Sequence, residues 1–127
     1  MGEVYRARDT KLSRDVALKI LPTATTADPT ARRRLLDEAR AAASLTHPHI
    51  VTIFAVDEAD GAVFIVMEYV EGRSLKERLD DGPLDVAELL RVGIEVSDAL
   101  AAAHAIGLIH RDIKPANILL TQQGGAK

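Results

Sequence analysis

The chain has 127 residues, of which 47% are hydrophobic and 28% are charged, and its formal net charge is −3. This balance is typical of a folded globular protein and excludes a disordered chain, which has fewer apolar residues and a larger net charge. The weak negative charge gives no reason to expect nucleic acid or an anionic membrane as a partner. Without cysteine there is no disulfide or thiolate metal site, and no apolar run approaches the ~18 residues of a membrane span. We therefore expect a cytoplasmic location, although sequence outside these residues could anchor a longer protein to a membrane.

The first half of the sequence predicts an antiparallel sheet with one covering helix. Short apolar segments bounded by polar or turn residues predict strands, and these cover residues 4–8, 15–21, 50–56 and 62–70. Asp28 and Pro29 predict a helix that runs to about Ser44, because an aspartate can cap free backbone N–H groups and proline fits the first helical turn. This order of elements indicates an α+β fold class.

The second half of the sequence is mainly helical. A short helix is predicted over 75–79 and a longer one from Asp85 to Gly107, where Asp85 and Glu88 resemble a capping box. A last pair of short strands, at 108–109 and 118–120, flanks a polar loop. The change of pattern predicts two domains, which cover residues 1–70 and 71–127.

The polar loop carries the residues most indicative of chemistry. Asp112, Lys114 and Asn117 lie within six positions of one another in the segment HRDIKPAN. A carboxylate can orient a hydroxyl nucleophile and accept its proton, a cation can offset charge on a transferring phosphoryl group, and an amide oxygen can bind Mg²⁺. The combination indicates phosphoryl transfer, and the alternative is a charged surface loop.

The segment HRDIKPAN resembles the catalytic loop of protein kinases, in which His-Arg-Asp is followed five residues after the aspartate by asparagine. The resemblance implies that Asp112 is the catalytic base, that Lys114 contacts the transferring phosphate and that Asn117 binds Mg²⁺. A lysine two positions after the aspartate resembles the pattern of serine/threonine kinases, whereas tyrosine kinases usually have a different residue at this position. The resemblance therefore implies ATP, Mg²⁺ and the Ser or Thr hydroxyls of protein substrates as partners.

Two charged residues upstream match the same family. The sequence VALK at 16–19 resembles the third kinase strand, whose lysine holds the α- and β-phosphates of ATP, so that Lys19 takes this role. Glu38 resembles the glutamate of the following helix, which pairs with that lysine, whereas Asp37 projects about 100° away around the helix. In isolation Lys19 would be interpreted as a surface lysine with its alkyl stem on apolar neighbours, and Glu38 as a solvent-facing carboxylate.

The segment MEYV at 67–70 resembles the hinge between kinase lobes. By that resemblance backbone groups of Glu68 and Val70 bind adenine and Met67 is the gatekeeper. The apolar residues that would enclose the purine are Val4, Ala17 and Leu119. Each of these would be interpreted as ordinary core without the resemblance.

The two ends of the sequence match only part of the kinase pattern. Gly2 resembles the last glycine of the phosphate-binding Gly-x-Gly-x-x-Gly-x-Val loop, and the earlier glycines are not in the sequence. The sequence also contains no Asp-Phe-Gly, the metal-binding motif that the family places roughly a dozen residues after the position of Asn117. We therefore expect a truncated N-lobe sheet with helix C, followed by the first helices and catalytic loop of the C-lobe, and an isolated chain that is inactive.

Other interpretations remain open at this point. A pseudokinase-like module would bind ATP without chemistry, and an interaction module would use its exposed helix for docking. Small-molecule phosphotransferases of the aminoglycoside or choline kinase type share a related Asp-to-Asn loop, although Lys114 with Pro115 is more similar to protein kinases. His47 and His49 are interpreted as structural, because two histidines without a further ligand make a poor metal site.

Overall fold

The computed structural model describes residues 3–127, which form two compact units. The first unit contains residues 3–46 and 52–69, and the second contains residues 47–51 and 70–127. The five-residue segment 47–51 thus belongs with the second unit although it lies among the first 70 residues.

The first unit is built on a four-stranded antiparallel sheet. Its strands are β1 (Glu3–Asp9), β2 (Arg14–Ile20), β3 (Ile53–Ala59) and β4 (Ala62–Glu68), in the order β1-β2-β4-β3. The turn between β3 and β4 has positive φ at both Asp60 (51°) and Gly61 (75°), which gives the twist that a two-residue hairpin needs. The sheet and its helices confirm the predicted α+β class.

Two helices accompany this sheet, α1 (Thr23–Thr26) and α2 (Pro29–Ala43). The Asp28 carboxylate accepts hydrogen bonds from the backbone N–H groups of Thr30 (3.1 Å) and Ala31 (3.3 Å), so the predicted helix start is confirmed. Helix α2 packs against β3, and an ion pair between Arg32 and Glu58 joins the two elements.

The second unit contains a small sheet that the sequence did not predict. Its elements are β5 (Gly72–Ser74), α3 (Leu75–Asp80), α4 (Val86–Ala105), a 3-10 turn (Pro115–Asn117) and β6 (Leu119–Thr121). Strand β6 pairs with β5, so the predicted strand at 108–109 is wrong. The reason is local: the Leu108 N–H donates to the Ala103 carbonyl (3.0 Å) around Gly107, whose φ is 78°. This Schellman closure of α4 uses the backbone donor that a strand would need.

The capping box of this unit is at α3 instead of α4. Ser74 Oγ accepts from the Glu77 N–H (3.1 Å), and the Glu77 carboxylate accepts from the Ser74 N–H (2.7 Å). At α4 the Asp85 side chain does accept from the Glu88 N–H (2.8 Å). The Glu88 carboxylate, however, binds the Arg78 guanidinium (2.8 Å), so only half of the predicted box at Asp85 forms.

The buried core of the second unit anchors the polar loop at its carboxyl end. The core residues are Leu75, Val92, Ile118, Leu120 and Ala126. Ile118 and Leu120 directly follow the loop, and burying a side chain of this size contributes about 1.5–3 kcal/mol. Strand β5 approaches very closely, since a Cβ on Gly72 would lie 1.9 Å from the Leu120 carbonyl oxygen.

Helix α4 buries one face and exposes an apolar one. The exposed face carries four large side chains that are 57–71% accessible, namely Val86, Leu89, Leu90 and Ile94. No helix in residues 3–127 has both the length and the apolar character to cross a bilayer. Within the described residues, these four side chains therefore form an exposed apolar stripe on α4.

We expect the two faces of α4 to respond differently to truncation. Val92 is 4% exposed and Ile94 is 68% exposed. Val92→Ala should lower the free energy of unfolding by about 1–3 kcal/mol, because it removes buried methyl groups and leaves a cavity. Ile94→Ala should change it by less than about 0.5 kcal/mol. Urea titrations followed by circular dichroism would measure both, and equal effects would contradict this assignment of the core.

Candidate active site

The polar loop has an unusual backbone at its start. Arg111 adopts φ = 64°, a left-handed conformation that costs a non-glycine residue about 1–3 kcal/mol. The next N–H, of Asp112, donates to His110 Nδ1 at 3.2 Å. The histidine side chain therefore closes the turn that presents Asp112. His110 belongs to the matched motif, but the sequence alone gave it no role.

Pro115 shapes the rest of the loop. A residue before proline is disfavoured in the helical region, and Lys114 is accordingly extended (φ −156°, ψ 160°). Pro115 then begins a single 3-10 turn, closed by the Asn117 N–H on the Lys114 carbonyl (2.9 Å). This sequence of an extended residue and a tight turn brings the side chain of Asn117 back toward Asp112.

The structure brings three predicted site residues together. Lys114 Nζ lies 3.0 Å from Asp112 Oδ2. Asn117 Nδ2 donates both to the Asp112 carbonyl (2.9 Å) and to Asp112 Oδ2 (3.1 Å). One carboxylate oxygen thus contacts an ammonium and an amide, while the carboxylate as a whole remains more than half exposed.

These contacts determine the charge of the group. The hydrogen bond from Lys114 lowers the pKa of Asp112 below its ordinary value, partial burial opposes the shift, and the lysine charge and Asn117 lower it further. The carboxylate is therefore ionised throughout the neutral range. An ionised, exposed carboxylate can accept a hydrogen bond from a hydroxyl group and take its proton.

The oxygen atoms of this cluster fit part of a Mg²⁺ site. Because Asn117 donates through Nδ2, its carbonyl oxygen Oδ1 is the atom that the amide could offer to a cation. Mg²⁺ prefers oxygen ligands and in phosphoryl-transfer sites takes one or two from the protein and the rest from phosphate and water. In the part of the chain that the structure describes, no group of three or more His, Cys, Asp or Glu residues could hold a metal.

Strand register places the predicted nucleotide residues of the first unit on one face of the sheet. Val4 pairs with Lys19, and Ala17 pairs with Met67. Because side chains alternate between faces along a strand, all four of these residues face the same side. Ala17 is buried, Lys19 and Met67 are half-buried and Val4 is exposed. Gly2 lies outside the described residues.

Lys19 and Glu38 lie on different elements of the first unit. Lys19 is half-buried in β2, and Glu38 is exposed on α2. Their pairing stays a prediction.

Glu68, in the predicted hinge segment, contacts Thr52. The Glu68 N–H donates to the Thr52 carbonyl (2.8 Å), and the Glu68 carboxylate accepts from the Thr52 N–H (3.2 Å). The contact of Glu68 with adenine stays a prediction. Val70 begins the second unit, and Leu119 lies half-buried in β6 of that unit.

The two histidines interact within the second unit. His47 Nε2 lies 3.1 Å from Asp98 Oδ2, and the His49 N–H donates to His47 Nδ1 (3.1 Å). His49 Nδ1 lies 2.8 Å from the Ala126 carbonyl oxygen. These contacts fit the structural interpretation of both residues, but no sequence signal identified Asp98 or Ala126 as their partners.

Comparison with known proteins identifies the family. The protein kinase domain model matches residues 1–127. The chain is 45% identical over 128 residues to the serine/threonine-protein kinase PrkC of Bacillus subtilis and 42% identical over 132 residues to the probable serine/threonine-protein kinase PknB of Corynebacterium glutamicum. All of the chain is covered in both cases, but only 20% of each relative.

A solved structure gives the same result for the fold. The chain superposes on a double mutant of the PknI kinase domain of Mycobacterium tuberculosis with a TM-score of 0.91 at 39% identity, covering 99% of this chain and 53% of that one. The chain thus spans about a fifth of the curated relatives and about half of a solved kinase domain. The site geometry, the family model and these similarities lead to one conclusion: the chain belongs to the protein kinase family, with bacterial serine/threonine kinases among its relatives.

Proposed function

We propose that the protein to which this chain belongs transfers the γ-phosphate of ATP to serine or threonine hydroxyls of other proteins. The observation that carries the proposal is the cluster of Asp112, Lys114 and Asn117, held within 3.1 Å contacts on one short loop. Because ATP is available in the cytoplasm, we propose that this part of the protein lies there. The kinase names of its relatives support the same reaction class.

In this mechanism Asp112 receives the substrate. Its exposed carboxylate accepts a hydrogen bond from the incoming hydroxyl and takes the proton as the new bond to the γ-phosphorus forms and the bond from that phosphorus to the departing ADP breaks. The lowered pKa makes it a weak base, so its main contribution is to orient the hydroxyl. Orientation is the larger part of catalysis when little covalent chemistry falls to the protein.

The remaining residues would position the nucleotide. Lys114 can leave the Asp112 carboxylate and bind a phosphoryl oxygen, whose negative charge it would offset. Lys19 can bind the α- and β-phosphates of ATP. Asn117 Oδ1 would hold Mg²⁺, which when bound neutralises charge on the phosphate oxygens. The apolar pair on the sheet face, Val4 and Ala17, would contact the adenine ring.

The isolated chain should bind nucleotide more readily than it reacts. Its 127 residues contain no Asp-Phe-Gly, so only the Asn117 side of the metal site is present in them. We therefore propose that the chain by itself binds Mg·ATP without measurable turnover.

We expect Lys19→Met to weaken Mg·ATP binding by the chain at least tenfold, about 1.4 kcal/mol, because the phosphates lose their cation. Isothermal titration calorimetry would measure the affinity. Lys11→Met is the matched control, since Lys11 lies exposed in the turn between β1 and β2 and should leave the affinity unchanged. A native chain that binds no nucleotide but associates with itself or a partner would support an interaction module instead.

Within a complete kinase domain that contains this chain, Asp112→Asn should lower kcat by about 10²–10⁴-fold, because the amide cannot take the hydroxyl proton and orients the hydroxyl less well than the carboxylate. The KM for ATP should change little, because the nucleotide does not need this carboxylate. A radiometric assay with a serine-containing peptide would measure both. Phosphorylation by the isolated 127-residue chain that disappears in Asp112→Asn would contradict its proposed inactivity.

The charge coupling can be tested by pH titration. Lys114→Met should raise the pKa of Asp112 toward its ordinary value, because the main group that stabilises the carboxylate is removed. The lowered pKa means that this carboxylate stabilises the folded chain above the unfolded pKa, and that this contribution is lost as pH falls through the folded value. Because Lys114→Met brings the folded pKa closer to the unfolded one, the variant should narrow the pH range over which this contribution is lost. Carbon-13 NMR of the Asp112 carboxyl would report the pKa, with Lys76→Met as the control, and an unchanged pKa in Lys114→Met would overturn the assignment.

A further inference from the structure

Two side chains hold the backbone of one buried residue in the second unit. Ala126 is 1% exposed. Its N–H donates to Glu95 Oε2 at 2.7 Å, and its carbonyl oxygen lies 2.8 Å from His49 Nδ1. Because a carbonyl can only accept, His49 Nδ1 must carry the hydrogen of this bond. Both polar groups of Ala126 are therefore used by side chains from other parts of the sequence.

The two side chains are themselves fixed. Glu95 and His49 are 18% and 24% exposed, and Arg91 Nη1 lies 3.5 Å from the same Glu95 oxygen that binds Ala126. The His49 N–H is held by His47, which is anchored at Asp98 of α4. Rigid supports of this kind are what hold functional groups in a fixed geometry.

Ala126 is connected to the candidate active site by a short path of hydrogen bonds. Its neighbour Lys127 exchanges two backbone hydrogen bonds with Leu119, at 2.7 and 2.8 Å. Leu119 lies two residues after Asn117, whose amide donates to Asp112. A displacement of Ala126 would therefore move Leu119 and shift Asn117 relative to the Asp112 carboxylate.

We propose that His49 and Glu95 are positioning residues for the candidate active site, acting as a clamp on Ala126 that fixes β6 and through it Asn117. The role of Asn117 in binding Mg²⁺ rests on the proposed function, but the contacts of the clamp and their effect on the loop do not. A purely structural role would lower overall stability without a specific change at Asn117. The two roles can therefore be separated by local measurements.

The first experiment uses nitrogen-15 NMR and amide hydrogen exchange on the full 127-residue chain. His49→Ala and Glu95→Ala should each speed exchange of the Leu119 and Lys127 amides at least tenfold and shift the side-chain NH₂ signals of Asn117. Glu95→Gln should restore the native signals, because its amide oxygen can still accept from the Ala126 N–H. Asp85→Ala is the matched control, since it removes the N-cap of α4 and lowers stability without touching His49, Glu95 or Ala126, so it should leave the Asn117 signals in place.

Two results would overturn the proposal. One is an Asn117 signal that does not move in His49→Ala and Glu95→Ala. The other is an equal response of Asn117 to Asp85→Ala, which would indicate general destabilisation. If an alanine variant does not fold, the native chain still gives a decision: a through-bond coupling between the Ala126 amide nitrogen and the Glu95 carboxyl carbon is expected, and its absence would refute the clamp.

These readouts do not depend on nucleotide. Titration of the native chain with Mg·ATP tests the proposed function separately. If Mg·ATP does not bind but Asn117 responds as expected, the proposed function is wrong and the clamp is supported. If Mg·ATP binds but Asn117 does not respond, the clamp is wrong and the proposed function is supported.

Discussion

The anchoring of β6 in the core of the second unit is the constraint on which the candidate active site depends. Ile118 and Leu120 are buried beside Leu75 and Val92, and the backbone of β6 pairs with β5 on one side and with Lys127 on the other. The loop before β6 contains a left-handed Arg111, which is costly in isolation. A chain held firmly at one end can sustain such a conformation because packing compensates for it. Asp112 and Asn117 therefore face each other as a consequence of apolar burial a few residues away.

The ion pair between Asp112 and Lys114 is partly exposed, so it contributes little to stability. Under the proposed function its consequence would be chemical: the carboxylate stays ionised because its pKa is lowered, and the ammonium would lie close to the developing phosphate charge. We propose that this weakly bound pair separates to accept a substrate hydroxyl and a phosphoryl oxygen.

Helix α4 has two roles on its two sides. Its inner side contributes Val92 to the core and Glu95 to the clamp on Ala126. Its outer side presents Val86, Leu90 and Ile94 to solvent, an apolar patch that soluble monomers rarely leave open. Since the chain covers 53% of a solved kinase domain, a surface of this kind agrees with a chain that corresponds to part of such a domain.

The sequence by itself determined the features that depend on residues at most three positions apart. The Asp28 cap, the Asp60–Gly61 turn and the extended Lys114 before Pro115 follow from such local rules, and HRDIKPAN indicated both the family and the three loop residues that the structure brings together. Only the tertiary structure decided the rest. The Glu88 carboxylate binds Arg78 instead of completing a local box, and β6 pairs with β5 instead of with residues 108–109. Ala126 is bound by side chains 31 and 77 positions away in the chain. Such contacts come from packing that brings distant segments together, and periodicity and local propensity carry no information about which distant segments meet.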